Sequence, residues 1–340
     1  MSPRLARGLS RAGRGVMAML LAASAPVDGQ ATHVLVVSGL GGESIYQDLF
    51  HAQGSSMLDA ARDRWGLTGE QVRWLAEDPA RAPDRIAARS TRENVEHEIQ
   101  ELAGRAGAAD RVLILLIGHG SESGGESKLN LPGPDLTASD LGTWLVAFPT
   151  QTVAVINTTS ASGGFLPAIS SERRIVVTAT RSARERNLTL FGGFFVDAFT
   201  EDGADADKDE RVSLLEAFSY ARAEVERFYS RENRLQTEHA LLDDDGDGEG
   251  TMEPGLAGGD GRLAGQFFLA AERPAVAARA ADDPELAALL EKKRELEDAV
   301  VELRAKKDDM DPAAYETQLE QLLVELATTS RAIRQREVEP

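Results

Sequence analysis

A histidine held between two glycines is the first residue whose position suggests chemistry. His119 stands in a Gly-His-Gly sequence directly after the apolar run 112–117, which predicts a strand buried on both faces. Ligands of open α/β sheets bind where such strands end. The next apolar run, 152–158, leads into small hydroxyl residues that include Ser160. Because neighbouring parallel strands end at one sheet edge, the pattern predicts a base beside a hydroxyl nucleophile.

The strands that position His119 and Ser160 are predicted from apolar runs that alternate with helical patterns along the chain. The alternation predicts βαβ crossovers and an α/β fold with a mostly parallel sheet of about five or six strands. We expect the segment 121–135 to be an exposed loop. The predicted strands are 33–42, 72–77, 112–117, 152–158, 174–180 and a late strand at 265–270, and the predicted helices are 44–65, 91–106, 137–148, 191–199 and 217–231.

The two strand ends resemble those of the caspase-like cysteine peptidases, in particular the legumain-like branch. In that family an apolar strand ends in His-Gly and the next ends in Cys-x-Ser-Gly, where this chain has His119-Gly120 and Ser160-Ala161-Ser162-Gly163. The resemblance covers about residues 32–270 and implies a caspase-like three-layer sandwich. It also implies that His119 is the general base, that the backbone N–H of Gly120 is the oxyanion donor, and that Ser160 occupies the nucleophile position.

This chain departs from the family at the nucleophile. A serine hydroxyl needs closer proton abstraction by an oriented base than a cysteine thiol does. No obvious third residue orients His119, although Asp110, Glu122 and Glu126 are near it in the chain. Three interpretations stay open: a homologue without peptidase activity that binds a peptide or protein, a serine-dependent hydrolase of peptide or ester bonds, and an unrelated function at the same edge.

The substrate-pocket arginine of the family also has no convincing match. The segment 41–46, Gly-Gly-Glu-Ser-Ile-Tyr, stands in its place after the first predicted strand. Arg181, just after the strand 174–180, is a candidate wall residue of the site.

An acidic segment at 205–216 has the spacing of an EF-hand calcium loop. Hard oxygen ligands at alternating positions suit Ca²⁺, but position 6, which is normally glycine, is Glu210. The alternative is an acidic, solvated helix N-terminus. The candidate ligands are Asp205, Asp207, Asp209, the carbonyl of Arg211, Ser213 and Glu216.

A second acidic loop spans 243–249, with sequence Asp-Asp-Asp-Gly-Asp-Gly-Glu. Its alternating carboxylates could also bind calcium, but no glutamate stands at position 12. The sequence therefore slightly favours a solvated turn over a calcium site here.

The composition and the N-terminus bear on location and partners. Four arginines followed by a short apolar stretch predict a cleavable export signal over 1–31 and a periplasmic or secreted protein, whereas a disordered tail is the alternative. No later run is long enough to span a membrane. The net charge of −19 argues against nucleic-acid binding, and the absence of cysteine excludes disulfides and thiolate chemistry.

The composition changes after the predicted globular domain of 32–272. An alanine-rich linker, 273–283, precedes two amphipathic helices over 284–336 with leucines at heptad spacing, each opened by an Asp-Pro cap. This pattern predicts an antiparallel helical hairpin or coiled coil. Self-association through these helices and packing onto the chain's own domain are both compatible with it.

Overall fold

The computed structural model describes residues 30–201, 203–206, 208, 211–255, 259–269, 279–280, 283–307 and 310–338. The predicted leader therefore lies almost wholly outside the described residues. So do two of the candidate calcium ligands, Asp207 and Asp209, and most of the predicted linker.

A seven-stranded sheet forms the centre of the molecule, in the order β10-β9-β8-β4-β1-β2-β3. Neighbouring strands are parallel except for β10, which pairs antiparallel with β9 at one edge. Its strands are β1 (Thr32–Ser38), β2 (Val72–Ala76), β3 (Ala88–Arg89), β4 (Arg111–Ile117), β8 (Thr152–Asn157), β9 (Arg174–Thr178) and β10 (Leu241–Asp243).

Helices cover both faces of this sheet, because the central strands are apolar on both faces. Along β4, Leu113 and Leu115 belong to one hydrophobic core whereas Ile114 and Leu116 belong to the other. The predicted α/β class with a mostly parallel sheet is therefore confirmed, with helices on either side. The helices are α1 (Ser44–Asp59, continued by a π-helical turn, Ala60–Arg64), α2 (Arg92–Arg105), α3 (Ala138–Trp144), α4 (Leu166–Ile169), α5 (Phe191–Thr200), α6 (Leu214–Arg231), α7 (Arg262–Gly265), α8 (Pro284–Ala305) and α9 (Pro312–Val338).

Two local predictions were wrong. The segment 121–135 contains a hairpin, β5 (Gly120–Ser123) and β6 (Glu126–Leu129), which β7 (Leu136–Thr137) extends to a three-stranded antiparallel sheet. Glycines 124 and 125 both have positive φ, as a two-residue hairpin turn of type I′ requires. No strand forms over the described residues 265–269 of the predicted late strand, where an isolated bridge pairs Phe268 with Ser213.

The helices α8 and α9 pack against each other and run antiparallel. Lys292 pairs with Glu325 at 2.6 Å. Asp283, directly before α8, pairs with Arg336 in the last turn of α9 at 2.5 Å. A small cluster of Leu286, Leu290 and Ile333 is buried between the helices. Among the described residues, no helix has the length and apolar character needed to cross a bilayer.

The pair α8 and α9 also contacts the rest of the chain. Glu297 on α8 forms an ion pair with Arg211, which precedes α6. The guanidinium of Arg211 lies 3.9 Å from the centre of the Phe268 ring. This ion pair joins the helical pair to the segment in which the calcium loop was predicted.

Candidate functional site

The structure brings His119, Gly120 and Ser160 together at the carboxyl edge of the main sheet. His119 follows β4, and Ser160 follows β8, its hydrogen-bonded neighbour. Gly120 is the first residue of β5. The adjacency that the strand order predicted is therefore present.

The Ser160 side chain is bonded to the backbone of Gly120. Its Oγ accepts a hydrogen bond from the Gly120 N–H at 3.0 Å and donates to the Gly120 carbonyl oxygen at 3.0 Å. Only 3% of the residue is exposed. The N–H that the family resemblance assigns to the oxyanion therefore has the Ser160 hydroxyl as its acceptor.

The chain after β8 approaches Gly120 so closely that a side chain there has no room. A methyl group at this position would overlap the carbonyl oxygen of Ser160 and lie 2.8 Å from Oγ1 of Thr159. Ala161, the next residue, has a φ of 55°, which is strained for a residue other than glycine. The turn that carries Ser160 is thus fixed by tight packing.

The imidazole of His119 packs against α1. Its ring meets Tyr46 and Phe50 edge-on, with centroid distances of 4.7 and 5.0 Å. Burial lowers the pKa of His119, and a hydrogen bond with the backbone of Gly41 partly offsets this effect. The ring is therefore neutral at neutral pH, as a general base must be. Within the described part of the chain, no hydrogen bond joins this imidazole to the Ser160 hydroxyl.

The backbone of Gly41, which sequence reasoning missed, acts on the pKa of His119 in the direction opposite to burial. The Gly41 carbonyl accepts from the N–H of Glu43 at 3.0 Å, across Gly42, whose φ is +73°. An i to i+2 bond around a residue of that φ is a γ-turn, which glycine adopts easily. The glycine pair noted in place of a pocket arginine was the available signal, but a backbone carbonyl has no side-chain signature.

The three carboxylates considered as partners of His119 bond elsewhere. Asp110 meets His33 at 2.9 Å, Glu122 pairs with Arg186, and Glu126 accepts from the N–H of Ser139. None of them orients the imidazole.

Hydrogen bonds among buried hydroxyl and amide groups fix the turn after β8. Asn157 Oδ1 accepts from both the N–H and the hydroxyl of Thr159, at 3.1 and 2.7 Å. Oγ of Ser162 lies 3.2 Å from Oγ1 of Thr180, which also accepts the N–H of Gly163. The hydroxyl-rich sequence after β8 therefore has a structural role in addition to placing Ser160.

Arg181 lies in a loop that contacts this turn. Its exposed guanidinium pairs with Glu185 at 3.1 Å, and the backbone carbonyl of Glu185 accepts the N–H of Ala161 at 2.7 Å. Glu185 also meets Nδ1 of His239 at 2.6 Å. Arg181 is thus connected through Glu185 to Ala161, the residue that follows Ser160.

A small pocket adjoins the site on the side of α1. Phe50 lies between them, since it contacts His119 and also lines the pocket. The other lining residues that carry polar side chains are Ser38, Gln47, His51, Glu77, Asp78 and Arg81.

Two described residues of the predicted calcium loop, Ser213 and Glu216, cap the start of α6. Ser213 and Glu216 form a capping box: the Ser213 hydroxyl accepts the Glu216 N–H at 3.2 Å, and the Glu216 carboxylate accepts the Ser213 N–H at 2.8 Å. The other carboxylate oxygen of Glu216 accepts the N–H of Ala206 at 3.0 Å. Asp205 and Arg211 flank these contacts along the chain.

The second acidic loop gathers three carboxylates that could hold a metal ion. Oxygens of Asp243, Asp245 and Asp247 all lie within 4.8 Å of one another. Asp243 is fully buried and accepts the N–H groups of Gly246 and Gly248, both at 3.1 Å. Burial and the neighbouring carboxylates raise the pKa of Asp260, which lies beside this loop, to about 6. A cation would relieve the crowding of negative charge.

No protein-family model matches the chain, and no curated protein matches it either. Among solved structures, the chain is similar to the crystal structure of protein GSU0716 from Geobacter sulfurreducens. The two chains are 11% identical with a TM-score of 0.41, and the match covers 62% of this chain and 92% of that one.

Proposed function

We propose that this protein is a caspase-like, legumain-like peptidase homologue that binds a peptide or protein at the His119 edge without cleaving it. The observation that carries the proposal is the pair of hydrogen bonds between the Ser160 hydroxyl and Gly120. A hydroxyl whose proton is donated to a carbonyl oxygen, away from the imidazole, is not activated for attack.

The edge still has features suited to a peptide. His119 is half-buried, its ring contacts two aromatic rings edge-on, and the adjoining pocket has donors and acceptors along its wall. A concave site with an apolar body and a few placed polar groups is typical of ligand binding.

The test is to incubate the full chain with a peptide library and to measure both retention and cleavage by mass spectrometry. We expect retained, intact peptides, and weaker retention by the variant His119→Ala. The matched control is His97→Ala, which removes an exposed histidine on α2, away from the edge. Absence of retention, or equal retention by His119→Ala, would contradict the binding role.

The alternative is a serine-dependent hydrolase of peptide or ester bonds that uses Ser160 and His119. The lowered pKa of His119 favours it, because a neutral imidazole can accept a proton. Cleaved peptides in the same experiment, lost in His119→Ala, would establish this function instead.

We also propose that the protein binds Ca²⁺, with the loop of Asp243, Asp245 and Asp247 as the first site to test. Three clustered carboxylates support a hard cation there. Millimolar calcium should raise the melting temperature, because a ligand that binds only the folded chain stabilises it. The double variant Asp245→Asn/Asp247→Asn should abolish that rise. If Asp205→Asn abolishes it instead, the loop at 205–216 is the site.

The remaining elements of the proposal concern the ends of the chain. Export through the N-terminal leader stays a prediction. For α8 and α9 we propose a hairpin arm docked onto its own domain, and the Arg211 and Glu297 ion pair supports this arrangement over a free arm for self-association.

A further inference from the structure

We propose that Glu185 is a positioning residue that holds Ser160 on Gly120 through the backbone of Ala161. The inference rests on the proposed role of this edge in binding a peptide, because Ser160 and Gly120 form the edge together with His119. It assigns a function to a carboxylate in the loop after β9, on a different strand connection from all three.

The residue that Glu185 holds has a strained backbone. Ala161 has a φ of 55°, and such a conformation persists only where its surroundings enforce it. Its N–H donates to the Glu185 carbonyl at 2.7 Å, and its carbonyl accepts the buried hydroxyl of Ser127 at 2.9 Å. Both backbone groups of Ala161 are therefore bonded to residues that lie far away along the chain.

The Glu185 carboxylate fixes the position of its own carbonyl. Its Oε2 accepts the backbone N–H groups of Arg181 and His239, both at 3.1 Å. Its Oε1 lies 2.6 Å from Nδ1 of His239 and 3.1 Å from Nε of Arg181. The side chain is only 12% exposed, so it ties the loop after β9 to the segment before β10.

Packing couples this loop to the turn that carries Ser160. A methyl group on the α-carbon of Gly163 would lie 2.3 Å from the backbone nitrogen of Ser182, so the two backbones are in direct contact. The Ser182 carbonyl accepts the N–H of Glu185 at 3.2 Å. A shift of the loop would therefore move the turn.

The two hydrogen bonds between the Ser160 hydroxyl and Gly120 depend on this support. Ser160 directly precedes Ala161, so relaxation of the strained φ would reorient the backbone that carries the hydroxyl. Glu185 thus maintains the orientation of Ser160 that favours binding over cleavage.

The test is the amide hydrogen exchange of Ala161 and Gly120 in the full chain, measured by NMR without a ligand. In Glu185→Ala both rates should rise by roughly tenfold or more, because a hydrogen bond to a charged group contributes at least the free energy of a tenfold change. The rate of Val155, in the middle of β8, should stay native, which separates a local role from a general loss of stability. Glu185→Gln should keep the native rates, because its amide oxygen can accept both N–H groups.

The matched control is Arg186→Ala, which removes the exposed ion pair with Glu122 from the same loop and should leave the three rates native. If Glu185→Ala fails to fold, Glu185→Asp shortens the side chain by one methylene and should show the same faster exchange. Native rates at Ala161 and Gly120 in a folded Glu185→Ala or Glu185→Asp variant would overturn the proposal, as would an equal rise at Val155.

Peptide retention by Glu185→Ala should also be weaker than by the native chain, because the turn beside His119 is no longer held. Failure of the native chain to retain peptides would reject the binding role alone. The exchange rates are measured without a ligand, so they report on Glu185 independently.

Discussion

The hydroxyl of Ser160 has two backbone partners, and both belong to Gly120. A neutral hydrogen bond contributes about 1 kcal/mol, so releasing this hydroxyl toward His119 has a moderate cost. A ligand that supplied a better acceptor to the Gly120 N–H could meet that cost. At the scale of residues, the hydrogen bonds between the Ser160 hydroxyl and Gly120 are therefore the feature that favours a binding role over hydrolysis.

Gly120→Ala tests how tightly the two strand ends are packed. The added methyl would overlap the carbonyl of Ser160, so we expect the free energy of unfolding to fall by roughly 1–3 kcal/mol or more. Urea denaturation measures this change. The control, Gly104→Ala, adds a methyl in helix α2 where no atom lies within 4 Å, and it should stabilise the chain by about 0.5–1 kcal/mol. Equal effects of the two variants would contradict the close approach.

The residue types at the edge were predictable, but their bonding was not. The apolar strands before His119 and Ser160 are uninterrupted because they are central and buried on both faces, and that run is visible in the sequence. The direction of the Ser160 hydroxyl depends on a separation of 3.0 Å set by packing. The Gly41 carbonyl could not be found by residue type, since every residue has one.

At the scale of elements, the central parallel strands could be predicted from the sequence, whereas the short antiparallel strands could not. Strands β5 and β6 have four residues each and are rich in serine and glutamate, so they lack the apolar alternation that identifies a strand. Their glycine turn was the available signal. Strand β10 has only three residues, beside the acidic loop, and pairs at the sheet edge.

The start of α3 gives a pH-dependent prediction. A hydrogen bond from Arg92, at 2.8 Å, is the main cause that lowers the pKa of Asp140 to about 2, and Thr137 adds a capping box. An unfolded aspartate titrates near pH 3.9, so the ionised carboxylate stabilises the fold fully above about pH 4. That contribution is lost as the pH falls toward about 2.

Asp140→Asn should therefore lower stability at neutral pH and reduce the loss of stability on acidification below about pH 4. Urea denaturation across this range measures both effects. Asp84→Asn, at an exposed position in the loop after β2, serves as the control and should follow the native profile. A native profile for Asp140→Asn would contradict the assigned role of its carboxylate.

At the scale of the whole molecule, one buried ion pair links the C-terminal helices to the sheet domain. The side chains of Arg211 and Glu297 are 14% and 8% exposed, and Lys293 also approaches Glu297, at 3.3 Å. Removing one partner of a buried ion pair costs about 3–5 kcal/mol. We therefore expect Glu297→Ala to destabilise the chain by roughly 3 kcal/mol in urea denaturation.

The matched control for that variant is Glu302→Ala. Glu302 pairs with Lys306 on the exposed side of α8 and is 61% exposed, so its loss should change stability by less than about 1 kcal/mol. If Glu297→Ala is as mild as this control, the helical pair does not depend on the ion pair for docking.

The most direct test of the central claim is the reactivity of Ser160 toward a serine-directed fluorophosphonate, measured by mass spectrometry of the intact chain and its peptides. A hydroxyl bonded to Gly120 and not to His119 should form no adduct at Ser160 above the level of His119→Ala. An adduct at Ser160 in the native chain that disappears in His119→Ala would contradict the binding role and establish a serine-dependent hydrolase.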